Sequence, residues 1–472
     1  MSLVPSIVAT LIPSQFFVFT LSNPLTHDCY LRGPLLRIAV LDSPKPPSGN
    51  DVPTVAAMIV PAHRESDWIF STESGQSHLL HSNPDVSRLV LIGNLPPGDF
   101  VSSIYVRPPA NLAARREKEK LEMELGPLLI ALHPQVCFGI GMLEPRFLTY
   151  EDTVVFRVTI CTGTGPIVGE FLVEDVEVET EHGGRKDFRR RLRFKRMPNL
   201  IQSEVRLIPS LVTDGWMNDL NLDLFSLKKM NDVKFEVDPR VLIPTYLNAM
   251  VSGIFLIVTP LDRRAQLEIV PRALCLGVGG GSLLHFLNAQ LGFHVVGVES
   301  DGLLLDVAQP RFGLRVGDRM NIFHEDAAGL LEVVSCGLSQ QRTDGLAGCL
   351  RSKFDVVMVD LDASDARFGN VCPPTNFFTK PVLLAAKLVL HDHGVFVMNV
   401  VVVNDEIYSA LVLELKTVFY KVFQMVVRDQ ENYILVATLS PLARHEPCTA
   451  FSIRMRLREA VSREYIGSIK EV

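Results

Sequence analysis

Between residues 33 and 106 the apolar positions fall into short runs bounded by turn signals. GPLLRIAVLDS, TVAAMIVPA and RLVLIGNLPPGDF read as strands, with SPKPPSGND as a loop between the first two. From Asn111 to Leu132 the period changes to that of a helix. RREKEK is its solvated face, and Leu121, Leu125, Leu128 and Leu132 form its apolar one. Strand patterns return in TVVFRVTICTG and IVGEFLVEDVEVETE. Beyond residue 270 the runs ALCLGV, HVVGV and NIFHEDA read as strands, the first of them buried, and FDVVMVDLDASD as a fourth strand opening into a loop. LVLHDHGVFVMNVV supplies a helix end, a turn at Gly394 and a fifth strand, and VFYKVFQMVVRDQENYILVATLS two more strands around a polar turn.

The longest uncharged stretch, Met1 to His27, is broken by Pro5, Pro13 and several hydroxyls, and the first basic residue is Arg32. A signal peptide wants a positive start, and a spanning helix about 20 predominantly apolar residues. QFFVFTLS therefore reads as a strand, no other window reads as a span, and no membrane is expected. At 472 residues, about 150 per domain gives a prior of roughly three domains. With 47% apolar residues, disorder is excluded, and a net charge of −7 argues against wholesale nucleic-acid binding. The eight cysteines are scattered without a metal-ligand spacing, which fits a reducing, cytoplasmic setting and no metal.

One local feature resists the charge argument. Arg185 to Arg196 holds eight Lys/Arg in twelve residues, after an acidic segment that includes Glu174, Asp175, Glu177, Glu179 and Glu181. Gly183-Gly184 between them is a hairpin signal. A two-residue turn there places Glu181 opposite Lys186 and Glu177 opposite Arg190, a self-neutralised hairpin in preference to a nucleic-acid patch.

The candidate chemistry lies in RALCLGVGGGSLLHFLNAQLGFHVVGVESD, residues 272 to 301. It is a strand, a glycine-rich turn, a helix, and a second strand ending in Glu299. In an open α/β sheet ligands sit outside the carboxyl ends of the strands. Gly277, Gly279 and Gly281 let a ligand approach the backbone, and Glu299, 22 residues after Gly277, can accept hydrogen bonds from ribose hydroxyls. The G-x-G-x-G spacing favours S-adenosyl-L-methionine over a dinucleotide. Asp326 ends the third strand, where methyltransferases commonly contact the adenine amino group, followed by Ala327. Asp360, Asp362 and Asp365 follow the fourth. The final strand pair matches the antiparallel finish of a class I methyltransferase sheet.

LGVGGGSL, VGVESD and FDVVMVDLDASDARFGNVCPP together resemble the spermidine-synthase-like half of the elongation factor 1-alpha lysine and N-terminal methyltransferase family. HRESDWIFSTESGQ, FRRRLRFKRMPNLIQSEVRLI and the tail EYIGSIKEV extend the likeness over about residues 33 to 472. The resemblance implies an α/β class I S-adenosylmethionine-dependent methyltransferase, Rossmann-like with a seven-stranded sheet, preceded by a smaller strand-rich α+β domain. It implies a further upstream methyltransferase domain in family members, of which residues 1–32 would be a remnant. Residues 33–230 would be the strand-rich region, 231–445 the methyltransferase domain and 446–472 a tail. The sequence departs from the family pattern at Arg240-Val241-Leu242, Tyr246-Leu247 and Asp326-Ala327.

The implied reaction is methylation of the N-terminal α-amine, or a lysine, of elongation factor 1-alpha. A protein α-amine has a pKa of about 7.7–8.0 against about 10.4 for lysine, so no strong base is needed for an N-terminal acceptor. Asp360, Asp362 and Asp365 are expected to orient the amine, with Asp360 also at the cofactor. Capping of the loop is the competing role for these aspartates, and Asn399, after the fifth strand, reads as a solvated strand end in preference to a residue lining the same cleft. An aminopropyltransferase is disfavoured because Gly279-Gly280-Gly281-Ser282-Leu283 lacks the Asp that polyamine synthases carry. A non-catalytic binding module stays open, as does the oligomeric state, a homo-oligomer included.

Overall fold

The computed structural model describes residues 8–23, 31, 33–45, 52–96, 104–108, 112–139, 144, 146–180, 187–211, 223–229, 233–329, 334, 345–362, 370–402, 404–427, 432–443 and 452–472. Six strands come first: β1 (Phe16–Ser22), β2 (Leu35–Asp42), β3 (Val55–Ile59), β4 (Arg88–Asn94), β5 (Ile104–Val106) and β6 (Arg146–Leu148). All but β5 form a sheet of order β1-β2-β4-β3-β6. The helix Leu112–Ala131 covers one face through Leu121, Leu125 and Leu129. Its outer face carries the i,i+4 pairs Arg115–Glu119, Lys118–Glu122 and Lys120–Glu124. The expected separation of residues 1–32 falls inside this sheet, because β1 pairs along its whole length with β2, from Phe16↔Leu41 to Ser22↔Leu35.

Strands β7 (Val154–Gly165), β8 (Gly169–Val178), β9 (Asp187–Phe194), β10 (Ile201–Leu211) and β11 (Val233–Val237) join β5 in an antiparallel sheet of order β11-β10-β9-β8-β7-β5. Since β11 pairs with β10, the division expected at residue 230 also cuts a sheet. The β8–β9 hairpin forms, in a register two residues away from expectation: Glu177 faces Phe188 and Asp175 faces Arg190. A shift of two keeps every side chain on its own face. It sets the buried Asp175 carboxylate against the Arg190 guanidinium at 2.7 and 3.0 Å. The basic run is largely neutralised by carboxylates: Arg191 meets Glu204 at 2.7 Å, Arg193 meets Asp67 at 3.0 Å, and Lys195 pairs with Glu170. The Gly183-Gly184 turn lies outside the described residues.

The third sheet contains β12 (Arg272–Leu276), β13 (His294–Glu299), β14 (Met320–His324), β15 (Phe354–Val359), β16 (Asn370–Cys372), β17 (Leu390–Val402), β18 (Lys421–Val427), β19 (Asn432–Thr438) and β20 (Lys470–Glu471). Its order is β14-β13-β12-β15-β17-β19-β18-β20, with β16 beside β17. The first five strands in that order are parallel, β19 runs antiparallel to β17, and β18, antiparallel to β19, runs in the direction of the first five. This is the α/β class I methyltransferase fold, a Rossmann-like sheet reversing direction at β12, where ligands bind. The seven-stranded expectation gains two short edge strands. One is the C-terminal Lys470–Glu471 on β18, by which the end of the segment expected as a tail joins this sheet.

Helices bury both faces of the third sheet. Leu247, Met250, Val251 and Ile254 pack on Val397 and Val436 on one side, and Leu383, Ala386 and Leu411 on Phe396 and Leu435 on the other. The first of these helical runs, residues 245–266, is long and apolar enough to cross a membrane, contrary to the expectation of no such window. Sixty-one per cent of its most apolar stretch is buried in the protein. Gly394 does not end a turn. The strand runs on through it, and the pairing slips from Phe354↔Leu390 to Val356↔Val395, so His391–Gly394 bulge out of the ladder.

Candidate functional site

The turn after β12 is built for glycine. Gly277 has φ +92°, and a Cβ there would lie 2.1 Å from the Asp360 carbonyl oxygen. Gly281 has φ +82° and stands at the start of the helix Ser282–Ala289, where a Cβ would strike Leu314 at 2.5 Å. A Gly277→Ala substitution combines a left-handed backbone with that backbone clash. It is expected to cost at least about 1–3 kcal/mol and to push the β15 end away, measured as a lower thermal unfolding midpoint.

The turn's amides converge on Glu299. Its Oε2 accepts from Val278 N and Gly279 N, both at 3.1 Å, and its Oε1 from Asp301 N at 3.1 Å. Successive N–H groups in a left-handed turn make a concave anion site, and here the protein's own carboxylate sits in it. Glu299 is 8% exposed. Next to it, Glu325 N donates to the Glu299 carbonyl at 3.0 Å, which brings the end of β14 alongside. Asp326 is exposed and accepts from Gly329 N at 3.0 Å as a helix cap, while Ala327 is buried in the core.

Across β12, Asp360 N donates to the Leu276 carbonyl at 2.9 Å. The Asp360 carboxylate accepts from Asn399 Nδ2 at 2.9 Å and from the Tyr246 hydroxyl at 3.1 Å. Asn399 is 4% exposed, a correction to the solvated strand end expected for it, and its own Oδ1 accepts from Asn432 Nδ2 at 2.7 Å. Burial raises Asp360 above the ordinary carboxylate range, against the pull of the Asn399 and Tyr246 hydrogen bonds. Burial and then the Asp360 charge hold the Tyr246 phenol protonated, well above its usual value. Asp362 pairs with Arg196 at 2.6 Å, and burial pushes its carboxyl up to about 6 although Arg196 pulls the other way. Asp365 lies outside the described residues.

The second sheet forms one wall of this site. Ser203 Oγ in β10 accepts from Gly280 N at 2.8 Å. The β7–β8 hairpin tip donates from Ile167 N and Val168 N to the buried Asp301, each at 3.1 Å. Phe171, Leu192, Phe194 and Val205 share a core with Leu304 and Phe312. Glycine turn, Glu299, Asp360 and Asp362 are thus brought together, with Asp326 and Ala327 at the neighbouring strand end. Sequence reasoning missed Arg196, Ser203, Asp301 and the Tyr246 hydrogen bond. The one local signal was the polar Asn399 within an apolar strand.

No family model matches the sequence. It is 28% identical over 420 residues to the eEF1A lysine and N-terminal methyltransferase of Homo sapiens, covering 86% of this chain and 54% of that protein. The Danio rerio protein of the same name is 27% identical over 424 residues, covering 88% and 55%. The Drosophila melanogaster homolog is 27% identical over 403 residues, covering 85% and 51%. Among solved structures, human Methyltransferase-like protein 13 in complex with SAH aligns with 47% of this chain and 92% of its own, at 27% identity and a TM-score of 0.38. A probable spermidine synthase from Corynebacterium glutamicum aligns with 66% and 89%, at 16% identity and a TM-score of 0.40. The chain spans about half the length of the curated relatives it matches, and along that half it resembles the eEF1A lysine and N-terminal methyltransferases.

Proposed function

We propose that the chain is an S-adenosyl-L-methionine-dependent protein methyltransferase acting on the N-terminal α-amine, or a lysine, of elongation factor 1-alpha. The observation that carries this reading is the meeting of the glycine turn, Glu299 and Asp360 at the carboxyl ends of β13, β12 and β15. The residues present fit the cofactor. The turn carries no Cβ at Gly277, Gly279, Gly280 and Gly281, and Glu299 offers a carboxylate at the strand end suited to ribose hydroxyls. The bound cofactor supplies an electrophilic methyl group on a sulfonium.

The chain's residues then have to place a neutral amine in line with that methyl. Positioning of this kind contributes roughly 7–11 kcal/mol in well-aligned reactions. Asp360 is fixed by Asn399 and Tyr246, so its carboxylate cannot swing away from the acceptor. It orients the amine and stabilises the positive charge that develops on nitrogen. Asp362 stands two residues further along the same loop. A dedicated base is unnecessary for an α-amine, which is partly free base near neutral pH.

The test is binding of labelled S-adenosyl-L-methionine, followed by mass spectrometry of an N-terminal elongation factor 1-alpha peptide incubated with chain and donor. A gain of about 14 Da, one CH2, is expected per methyl group transferred. Glu299→Ala is expected to lose cofactor binding, with thermal unfolding measured alongside to show that the fold is kept. A chain that binds no donor and leaves the peptide unmodified would refute the enzymatic reading.

A further inference from the structure

Arg196 occupies an unusual junction. It lies in the turn between β9 and β10, far from the third sheet in sequence, yet its Nη2 donates to Asp362 Oδ2 at 2.6 Å. Its Nε donates to the Val168 carbonyl at 3.3 Å, and its guanidinium lies 5.2 Å from the centre of the Phe194 ring. The side chain is 21% exposed. On its open side it lines a shallow groove of about 380 Å³, together with Thr72, Ile167, Val168, Glu170 and Lys195. The guanidinium thus separates this groove from the Asp360–Asp362 loop.

The charges around that loop pose a problem for amine chemistry. Asp362 is faced by Arg196, Glu299 and Asp360, and its charge also reaches Tyr246 and Cys372. Three carboxylates near an acceptor would attract it as an ammonium ion and raise its pKa, holding it in the form that has no lone pair. In the transfer the lone pair of the acceptor nitrogen forms the new N–C bond. The C–S bond breaks, its electron pair stays on sulfur, and the methylated nitrogen later releases a proton to water. Only the free base can begin that sequence. Among the described residues Arg196 is the cation paired with Asp362, at 2.6 Å, and it offsets that carboxylate's charge.

We infer that Arg196 is a positioning residue that sets the acceptor's protonation state, compensating Asp362 so that an amine arriving at the site is held as the free base. This inference rests on the methyltransferase reading above. It assigns the Arg196–Asp362 pair a role distinct from holding the second and third sheets together. Loss of Arg196 leaves Asp362 uncompensated and stabilises bound ammonium. Loss of Asp362 removes the carboxylate that Arg196 meets at 2.6 Å and does the reverse.

The experiment is the pH dependence of kcat for methylation of the N-terminal elongation factor 1-alpha peptide by the full chain. The kcat profile reports ionisations in the bound complex. Arg196→Met is expected to move the limb that rises with pH upward by about 1 unit and to lower KM, because an unpaired carboxylate holds ammonium more tightly. Arg196→Lys is expected to keep the limb near its original position. Asp362→Asn is expected to move it downward. Labelled-cofactor binding is measured for every variant, so that a folding defect is recognised, and the opposite shifts of Arg196→Met and Asp362→Asn each test the sign on their own. Transfer by the unaltered chain with a limb that none of the variants moves, or Arg196→Lys behaving as Arg196→Met, overturns the inference alone. No transfer by the unaltered chain overturns the methyltransferase reading, and the inference with it.

Discussion

An Asp67→Asn chain is expected to lose about 3–5 kcal/mol of stability in the part built from the first two sheets. Asp67 is fully buried and is the hub of an ion cluster. Its carboxylate accepts from Arg64 at 2.8 Å, from Arg157 at 2.5 Å and from Arg193 at 3.0 Å. It also caps the short helix Trp68–Ser71. Burial alone would raise this carboxyl, but Arg193, Arg157 and Arg64 together hold it well below the usual range. Asn preserves the shape and part of the capping, and removes the charge. Three buried guanidinium groups are then left with Asp152 and Glu174 as their remaining carboxylate partners.

The rings of Tyr150, Tyr105 and Phe70, at 4.9–5.4 Å from the Arg64 guanidinium, cannot replace a full negative charge. Urea unfolding followed by tryptophan fluorescence, in a Trp216→Phe background so that the buried Trp68 is the reporter, reads the loss where it occurs. The same substitution in an Arg157→Met background should cost less, since one of the stranded cations is already gone. The pH dependence has a definite sign. A carboxylate whose folded pKa is depressed contributes stability that is present above its unfolded value of about 3.9. That contribution is lost as pH falls towards the depressed folded value. An Asp67→Asn chain with an unchanged urea midpoint would mean that the cluster holds nothing together.

The strands were legible because a buried strand writes a continuous apolar run into the sequence, and β12, β13, β15 and the Gly394–Val400 part of β17 are buried almost throughout. The cofactor half of the candidate site was legible for a different reason: glycine turn and Glu299 lie within one strand–helix–strand unit, so local spacing encodes their meeting. What could not be read is contact between distant segments. Arg196 reaches Asp362 across 166 residues, Ile167 reaches Asp301 across 134, and Ser203 reaches Gly280 across 77. No periodicity records such pairs. The β8–β9 register failed on a subtler point. Cross-strand charge matching is satisfied by more than one even-numbered shift, and the tertiary demand of Asp175 for Arg190 and Lys228 chose between them. Asn399 was misjudged because a polar residue near a strand end is normally solvated. Here Asp360 and Asn432 satisfy it inside the protein.

Asp360→Asn should lower kcat for methyl transfer by about 10²–10³-fold, the range seen when one preorganised electrostatic partner of a transition state is removed. The substitution isolates charge from shape because the surrounding hydrogen bonds can be kept. Asn399 cannot turn its amide over, since its Oδ1 is engaged by Asn432 Nδ2 at 2.7 Å, so its Nδ2 continues to donate towards residue 360. The new amide oxygen accepts that bond. The new NH2 meets the Tyr246 oxygen, whose hydroxyl hydrogen is free to rotate away. Folding and donor binding are therefore expected to survive, measured by thermal unfolding and by labelled-cofactor binding. What disappears is the negative charge beside an acceptor nitrogen that becomes positive as the methyl group arrives. The loss should fall on kcat more than on KM, because the neutral amine in the ground state gains little from a carboxylate and the developing ammonium gains much. Asp360→Glu keeps the charge but displaces it by a methylene from its Asn399 and Tyr246 partners. It should recover only part of the rate. Full activity in Asp360→Asn would remove Asp360 from the acceptor site and leave it as a link between β15, Asn399 and Tyr246.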